Sequence, residues 1–247
     1  MNARIRILNI GNTNVQMIDS SSDTEFKALP SVRTEVFSRD PLSWLKDCEE
    51  FAASSVVPEL TCFLRSRGGF VVSSGNPLPF AKSKLDLTTV GADRLANAAA
   101  LLDGPLPALS IDFGTAVTFE YVTGDRQFTG GAILPGRALV RHALHDYTAQ
   151  LPLVDLYGEL PSVPGCNTPD AIRLGTDLAA IGSVKELIGA MRNLSSRPLR
   201  IVACGGDRAF FLRHLEGLED GSDFFTARGI RKLWEYDHAC KNLRNQK

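Results

Sequence analysis

No apolar run in the 247 residues approaches the roughly 20 needed to cross a bilayer as a helix. The opening MNARIRILNIG has neither the apolar core nor the small-residue cleavage site of a signal peptide. No charge of one sign dominates: 27 Lys and Arg stand against 28 Asp and Glu, a formal net charge of −1. Neither nucleic acid nor an anionic membrane surface is therefore an expected partner. The five cysteines, Cys48, Cys62, Cys166, Cys204 and Cys240, are scattered and show no CxxC or Cys/His metal spacing. Reduced thiols and a cytoplasmic location are the expectation. The Walker loop GxxxxGK[ST] and the dinucleotide fingerprint GxGxxG are both missing, so any nucleotide must be held by another architecture. His142 and His145 lie three apart on an expected helix but have no third ligand nearby.

With 44% of residues hydrophobic, the chain can bury one large core or two modest ones. Apolar runs at Ile5–Ile10, Val15–Ile18, Gly69–Val72, Leu106–Asp112 and Val117–Val122 predict strands. Three- and four-residue apolar spacing predicts helices over Ala138–Tyr147, Asp170–Met191, Asp207–Leu215 and Arg228–Leu243, with Thr168 before Pro169 as a cap. Ser20–Thr24, Gly75–Pro79 and Gly158–Asn167 read as loops. Interleaved strands and helices point to an α/β class.

One stretch recurs. LNIGNTNVQMID from Leu8 lies over IDFGTAVTFEYV from Ile111: apolar, Asn or Asp, apolar, Gly, a polar residue, then an alternating strand. Asn9 and Asp112 are 103 residues apart, about the size of a small domain. The repeat suggests two similar lobes, residues 1–105 and 106–247.

Glycine at a hairpin tip tolerates positive φ and lets a ligand approach the main chain. Gly11, Asn12, Thr13 and Asn14 in the first copy, with Gly114 and Thr115 in the second, could cradle phosphate oxygens on such turns. A plain β-turn accounts for either copy alone; two copies favour the ligand. Asp112 at the rim of a phosphate site would require a cation such as magnesium. In GADRLANAAALL, Gly91–Leu102, Asp93 is either a helix-start residue favoured by the dipole or a general base, and Arg94 then a clamp for an anionic group. GGAILPG, 130–136, and IVACGGD, 201–207, each bring backbone near a following helix; the Gly205-Gly206 pair is either a strand-to-helix turn or a nucleotide contact.

Taken in order, GNTN (11–14), SSVVP (54–58), GADR (91–94), DFGTAVT (112–118), GGAILPG (130–136), NTPDAIRLG (167–175) and CGGD (204–207) make the chain resemble the type III pantothenate kinase, or Bvg accessory factor, family over almost its whole length. The resemblance implies two ribonuclease-H-like lobes of the acetate and sugar kinase, Hsp70 and actin superfamily, with ATP between them. It implies ATP-dependent phosphorylation of pantothenate to 4'-phosphopantothenate, the first step toward coenzyme A, with Mg2+, a monovalent cation (K+ or NH4+) and a homodimer. It makes Asp93 the base, with Gly91, Arg94 and Thr168 at the pantothenate site. The hairpins and Gly205-Gly206 would hold nucleotide and phosphate, and Asp112 the metal, with Asn9 contributing weakly through water.

Two segments depart from that family's pattern. The family opens DxGNT, whereas this chain has Asn9-Ile10-Gly11-Asn12-Thr13, one negative charge fewer at the metal site. KSKLDLTTV, residues 82–90, carries neither the aromatic residue nor the proline usual before GADR. A related kinase with another acceptor, and a catalytically weak or inactive paralogue that binds nucleotide or a partner, are the alternatives these departures raise.

Overall fold

The computed structural model describes residues 4–46, 48, 50–81 and 83–245, so Lys82 of the divergent segment lies outside the described residues. The chain opens with strand β1 (Ile5–Ile10), returns as β2 (Asn14–Ser20), and adds β3 (Phe26–Ala28), β4 (Val32–Arg33) and helix α1 (Thr34–Arg39). Strands β5 (Phe51–Ser55) and β6 (Phe70–Val71) flank α2 (Pro58–Ser66), and α3 (Ala92–Leu101) leads onward. A second hairpin, β7 (Ala108–Phe113) and β8 (Ala116–Val122), is followed by β9 (Phe128–Gly130), β10 (Ile133–Pro135), α4 (Arg137–Asp146) and α5 (Thr168–Arg192). The end of the chain is β11 (Arg200–Cys204), α6 (Arg208–His214), β12 (Glu219–Asp220) and α7 (Phe225–Asn245).

These strands form two sheets of one design. The first runs β3-β2-β1-β5-β6 and the second β10-β8-β7-β11-β12, with β4 added on β2 and β9 on β8. In each, the central strand pairs antiparallel with the next strand of its hairpin and parallel with a later one. Register extends the likeness to single residues: Asn9 lies between Gln16 and Ser54, and Asp112 between Thr118 and Cys204. The sequence echo is thus a repeat of topology.

Helix α3 explains how the two sheets share a core. Its Ala96, Ala98, Ala99 and Ala100 are buried beside Leu95 and Leu101, and their short side chains let the helix lie close to α7 and to both sheets. Enlarging one of them would overpack the contact at about 1–3 kcal/mol. Helix α7, from the end of the chain, packs on α3, β1 and β5. The outer face of the first sheet is covered by Phe37 of α1 and Leu60 and Leu64 of α2. That of the second is covered by Val184 and Ile188 of α5 and Phe210 and Phe211 of α6.

Three readings of the sequence are corrected. The cap of α5 is Asn167, whose side chain accepts the Asp170 N–H, and Thr168 is already helical. Gly11 and Gly114 do not adopt positive φ; of the expected site glycines, Gly205 does, at φ +88°. The strand Phe51–Ser55 escapes pattern reading because all five residues are buried, leaving no alternation to detect. Helices α1 and α2 and the short strands β3, β4, β9, β10 and β12 were likewise not expected, whereas the expected strands and helices differ by a few residues at their ends.

Candidate functional site

Each hairpin is closed by the N–H of its glycine, over three residues in the first and two in the second. Gly11 N–H donates to Asn14 O at 3.0 Å, and Gly114 N–H to Ala116 O at 3.2 Å. Each is braced from behind. Thr34 holds the first through its N–H to Thr13 O (3.0 Å) and its hydroxyl to Gly11 O (2.8 Å). Gly136 holds the second through its N–H to Thr115 O at 2.9 Å, and a Cβ there would overlap Gly114 O, which explains why GGAILPG ends in glycine. The braces aim the tips at each other: Thr13 Oγ1 and Thr115 Oγ1 are 3.4 Å apart.

Between the sheets lies a cleft of about 800 Å³. Its walls hold Asn9, both hairpin tips (Gly11–Asn14, Gly114 and Thr115), Asp93, Asp112 and the Gly205-Gly206 pair. Segments far apart in the chain therefore meet in one place. Three expected site residues stand elsewhere. Gly91 is the residue before α3, where a Cβ would come within 2.7 Å of Asp93 Oδ1, so its bareness leaves room for that carboxylate. Arg94 does not line this cavity; its Nε donates to Glu120 Oε1 at 2.9 Å and its Nη2 to Phe119 O at 3.1 Å. Thr168 lines a second cavity of about 630 Å³ between α4 and α5, with Val140, Leu144, Ala171 and Gly175.

The acids of the cleft are electrostatically unusual. Burial raises Asp93 above the ordinary carboxylate range, against the pull of the Arg94 N–H that donates to its Oδ1 at 2.8 Å. Asp112 is pushed up to about 6, first by burial; the Asn97 amide opposes this and nearby Asp93 adds to it. Behind them, fully buried Glu120 is pushed up to about 7 by burial although Arg94 and the Ser110 hydroxyl hold it. Carboxylates so displaced are poised to take a proton or to meet a cation.

Several participants carried no signal in the sequence. Asn97 donates Nδ2–H to Asp112 Oδ2 at 3.1 Å and accepts the Thr226 hydroxyl at 2.7 Å, which fixes the amide's orientation. An amide inside an alanine run was the one available hint. Glu120 sits in an ordinary strand pattern, and the partners of Arg137 come from distant segments, Asp177 from α5 and Asp207 from the turn between β11 and α6. Asp112 Oδ1 faces the bare α-carbon of Gly205, where any Cβ would collide with it. With Asn9 Nδ2 turned to Gln16 Oε1 at 3.4 Å, the Asn9 carbonyl oxygen remains available. The result is a set of hard oxygen donors with one carboxylate, which suits a divalent cation completed by water and phosphate. Among the described residues no group of three His, Cys, Asp or Glu could hold a metal by itself, and no helix is long and apolar enough to cross a membrane.

Comparison with known proteins gives a consistent result. A family model for type III pantothenate kinase matches residues 7–190. The type III pantothenate kinase of Exiguobacterium sp. is 30% identical over 254 residues, covering 94% of this chain and 98% of that one. That of Syntrophobacter fumaroxidans is 34% identical over 165 residues, covering 66% of this chain and 62% of that one. Among solved structures, a Campylobacter jejuni protein described as a candidate Baf family transcriptional activator superposes with a TM-score of 0.65 at 17% identity, covering 94% and 98%. The activator of 2-hydroxyisocaproyl-CoA dehydratase from Clostridium difficile, with bound ADPNP, gives 0.55 at 12% identity, covering 99% and 98%. These neighbours share the fold of this chain, as does a Listeria monocytogenes protein described as a candidate N-acetylmannosamine kinase, with a TM-score of 0.58 at 14% identity, covering 99% and 100%.

Proposed function

The chain belongs to the type III pantothenate kinase family, and from that premise we propose that it transfers the γ-phosphoryl group of ATP to the hydroxyl of pantothenate. Kinases of this family require ATP and a divalent metal. The observation that carries the reading is the pair of facing hairpins, whose hydroxyls meet at 3.4 Å beside the Asp93 and Asp112 carboxylates.

In this reading residues 1–105 and 106–247 act as two lobes that grip the phosphate chain from opposite sides. Thr13, Thr115 and the exposed hairpin amides bind its oxygens, and Gly205-Gly206 leaves space for the nucleoside. Asp112, with Asn9 through water, would hold magnesium. Bound there, the ion neutralises phosphate charge that would otherwise repel the acids. Asp93 receives the proton of the attacking hydroxyl as the new O–P bond forms and the bridging bond to the β-phosphate breaks, leaving ADP. Its raised affinity for protons favours that role. Gly91 gives this carboxylate its room. Arg94 orients Asp93 through its main chain, and its Nη1, held by neither Glu120 nor the Phe119 carbonyl, is the edge left for the acceptor's carboxylate. Thr168 completes the acceptor site across a homodimer interface on the α4–α5 face. A cytoplasmic location and activation by K+ or NH4+ belong to the same proposal.

A coupled assay with pantothenate, ATP, magnesium and K+ or NH4+ tests it: ADP release dependent on pantothenate is expected, and turnover with another acceptor alone would assign a different kinase. One observation supports a second reading. Asn9 occupies the register position that Asp112 holds in the other sheet, so the first lobe lacks a carboxylate where the second has one. Nucleotide binding without turnover, in the native chain and in Asn9→Asp alike, would make this a binding paralogue.

A further inference from the structure

Arg137, the first residue of α4, is 2% exposed at its side chain, yet its guanidinium stands at the wall of the cleft. Every edge of it is used. Nε and Nη2 donate to Asp207 Oδ2 and Oδ1, each at 2.7 Å, Nη1 donates to Asp177 Oδ1 at 2.8 Å, and Cζ lies 3.5 Å from the centroid of the Phe210 ring. Asp177 Oδ1 also accepts from Arg141, whose Nε reaches Thr176 Oγ1. Two guanidinium groups and two carboxylates thus balance. A buried set of this kind is seldom more stabilising than apolar side chains of the same volume, so stability is a poor account of its presence.

Its location suggests a better one. Arg137 follows Gly136, the brace of the second hairpin, and Asp207 follows Gly205-Gly206, with its N–H bonded to Phe113 O at 3.0 Å. The two-pronged pair therefore joins the turn after β11 to the brace of the hairpin. Asp207 is 21% exposed at its side chain and reaches the open cleft, where an uncompensated carboxylate would repel a polyphosphate. We propose that Arg137 is a positioning residue of the nucleotide cleft, fixing the Gly205–Asp207 turn against the second hairpin and cancelling the Asp207 charge that would otherwise face the bound polyphosphate. This rests on reading the cleft as the nucleotide site.

The test measures the Kd of a fluorescent methylanthraniloyl-ATP with magnesium, alongside KM for each substrate. Arg137→Met is expected to raise the nucleotide Kd about tenfold, with the KM for pantothenate changed less than about twofold. Adding Asp207→Asn should recover part of the loss, because it removes the exposed charge; a merely structural role predicts no recovery. Arg137→Lys, which keeps the charge but not the fork, should fall between, and it serves if Arg137→Met does not fold. Folded variants with the Kd of the native protein, or a double variant that binds no better than Arg137→Met, would overturn the proposal. Native protein that binds the probe but does not phosphorylate pantothenate defeats only the functional reading and leaves this comparison intact. Native protein that binds no nucleotide defeats both.

Discussion

Thr13 Oγ1 and Thr115 Oγ1, 102 residues apart in the chain, stand 3.4 Å apart at the mouth of the cleft. Both side chains are exposed to it and neither contributes to the core. Thr13→Val and Thr115→Val should each lower kcat/KM for ATP by about 10²- to 10³-fold, the range for losing one oriented donor to developing negative charge. The melting temperature should stay within about 2 °C, since exposed hydroxyls carry little stability. Steady-state kinetics with thermal melts check this, and unchanged kinetics would remove the hydroxyls from phosphate binding.

Asp93→Asn isolates the base. The Arg94 N–H still finds an oxygen acceptor, so the start of α3 is kept, while proton acceptance is lost. A fall in kcat of about 10²- to 10⁴-fold with nucleotide Kd retained is expected. Gly91→Ala should act on the same group indirectly, because its Cβ would press on Asp93 Oδ1. Full turnover in Asp93→Asn would take Asp93 out of the proton transfer.

The repeated hairpin was legible because it is local: a strand, a glycine turn and a strand are encoded in a dozen consecutive residues, twice. The side chains brought to the cleft by α3 and by the turn after β11 were legible only as ambiguous short motifs. The partners of those side chains were not legible. Asn97 reaches Asp112 from a helix, Thr226 reaches Asn97 across 129 positions of sequence, and Arg137 meets Asp207 across 70. Pairings of that kind depend on how the second sheet packs against α3, α5 and α7, which no local period records. Arg94 shows the reverse case. Its place beside Asp93 was plain, but the buried Glu120 that engages its Nε lies 26 residues away in a strand and could not be paired with it in advance.

Asn9→Asp should restore the charge that the first lobe lacks. The Asn9 side chain makes one long hydrogen bond, to Gln16 at 3.4 Å, so little structure is at stake. A lower half-saturating magnesium concentration is expected, by about three- to tenfold, with kcat equal or higher, since an ionised oxygen holds a hard cation more tightly than an amide oxygen. Magnesium titrations of both proteins decide it; identical curves would place Asn9 outside the metal's reach.

Asp112 and Glu120 give the metal-free protein an inverted pH dependence. Their folded forms take protons more readily than ordinary carboxylates, at about 6 and about 7. Between roughly pH 4 and pH 7 the folded state therefore binds more protons than the unfolded state, and stability from these two groups falls as pH rises through that window. Asp112→Asn removes one of the two. It should raise the melting temperature at pH 8, leave it nearly unchanged at pH 4, and contribute up to on the order of 3 kcal/mol at the alkaline end, about two pKa units' worth. The same substitution should abolish turnover, the usual trade between a stable cleft and one poised for a ligand. Magnesium reverses the sign: it favours the ionised carboxylate, so binding of magnesium with nucleotide near pH 6, where Asp112 is about half protonated, should release about half a proton from it. Calorimetry in buffers of different ionisation heat reads that release directly. A proton count of zero in the native protein, or an equal count in Asp112→Asn, would detach Asp112 from the metal.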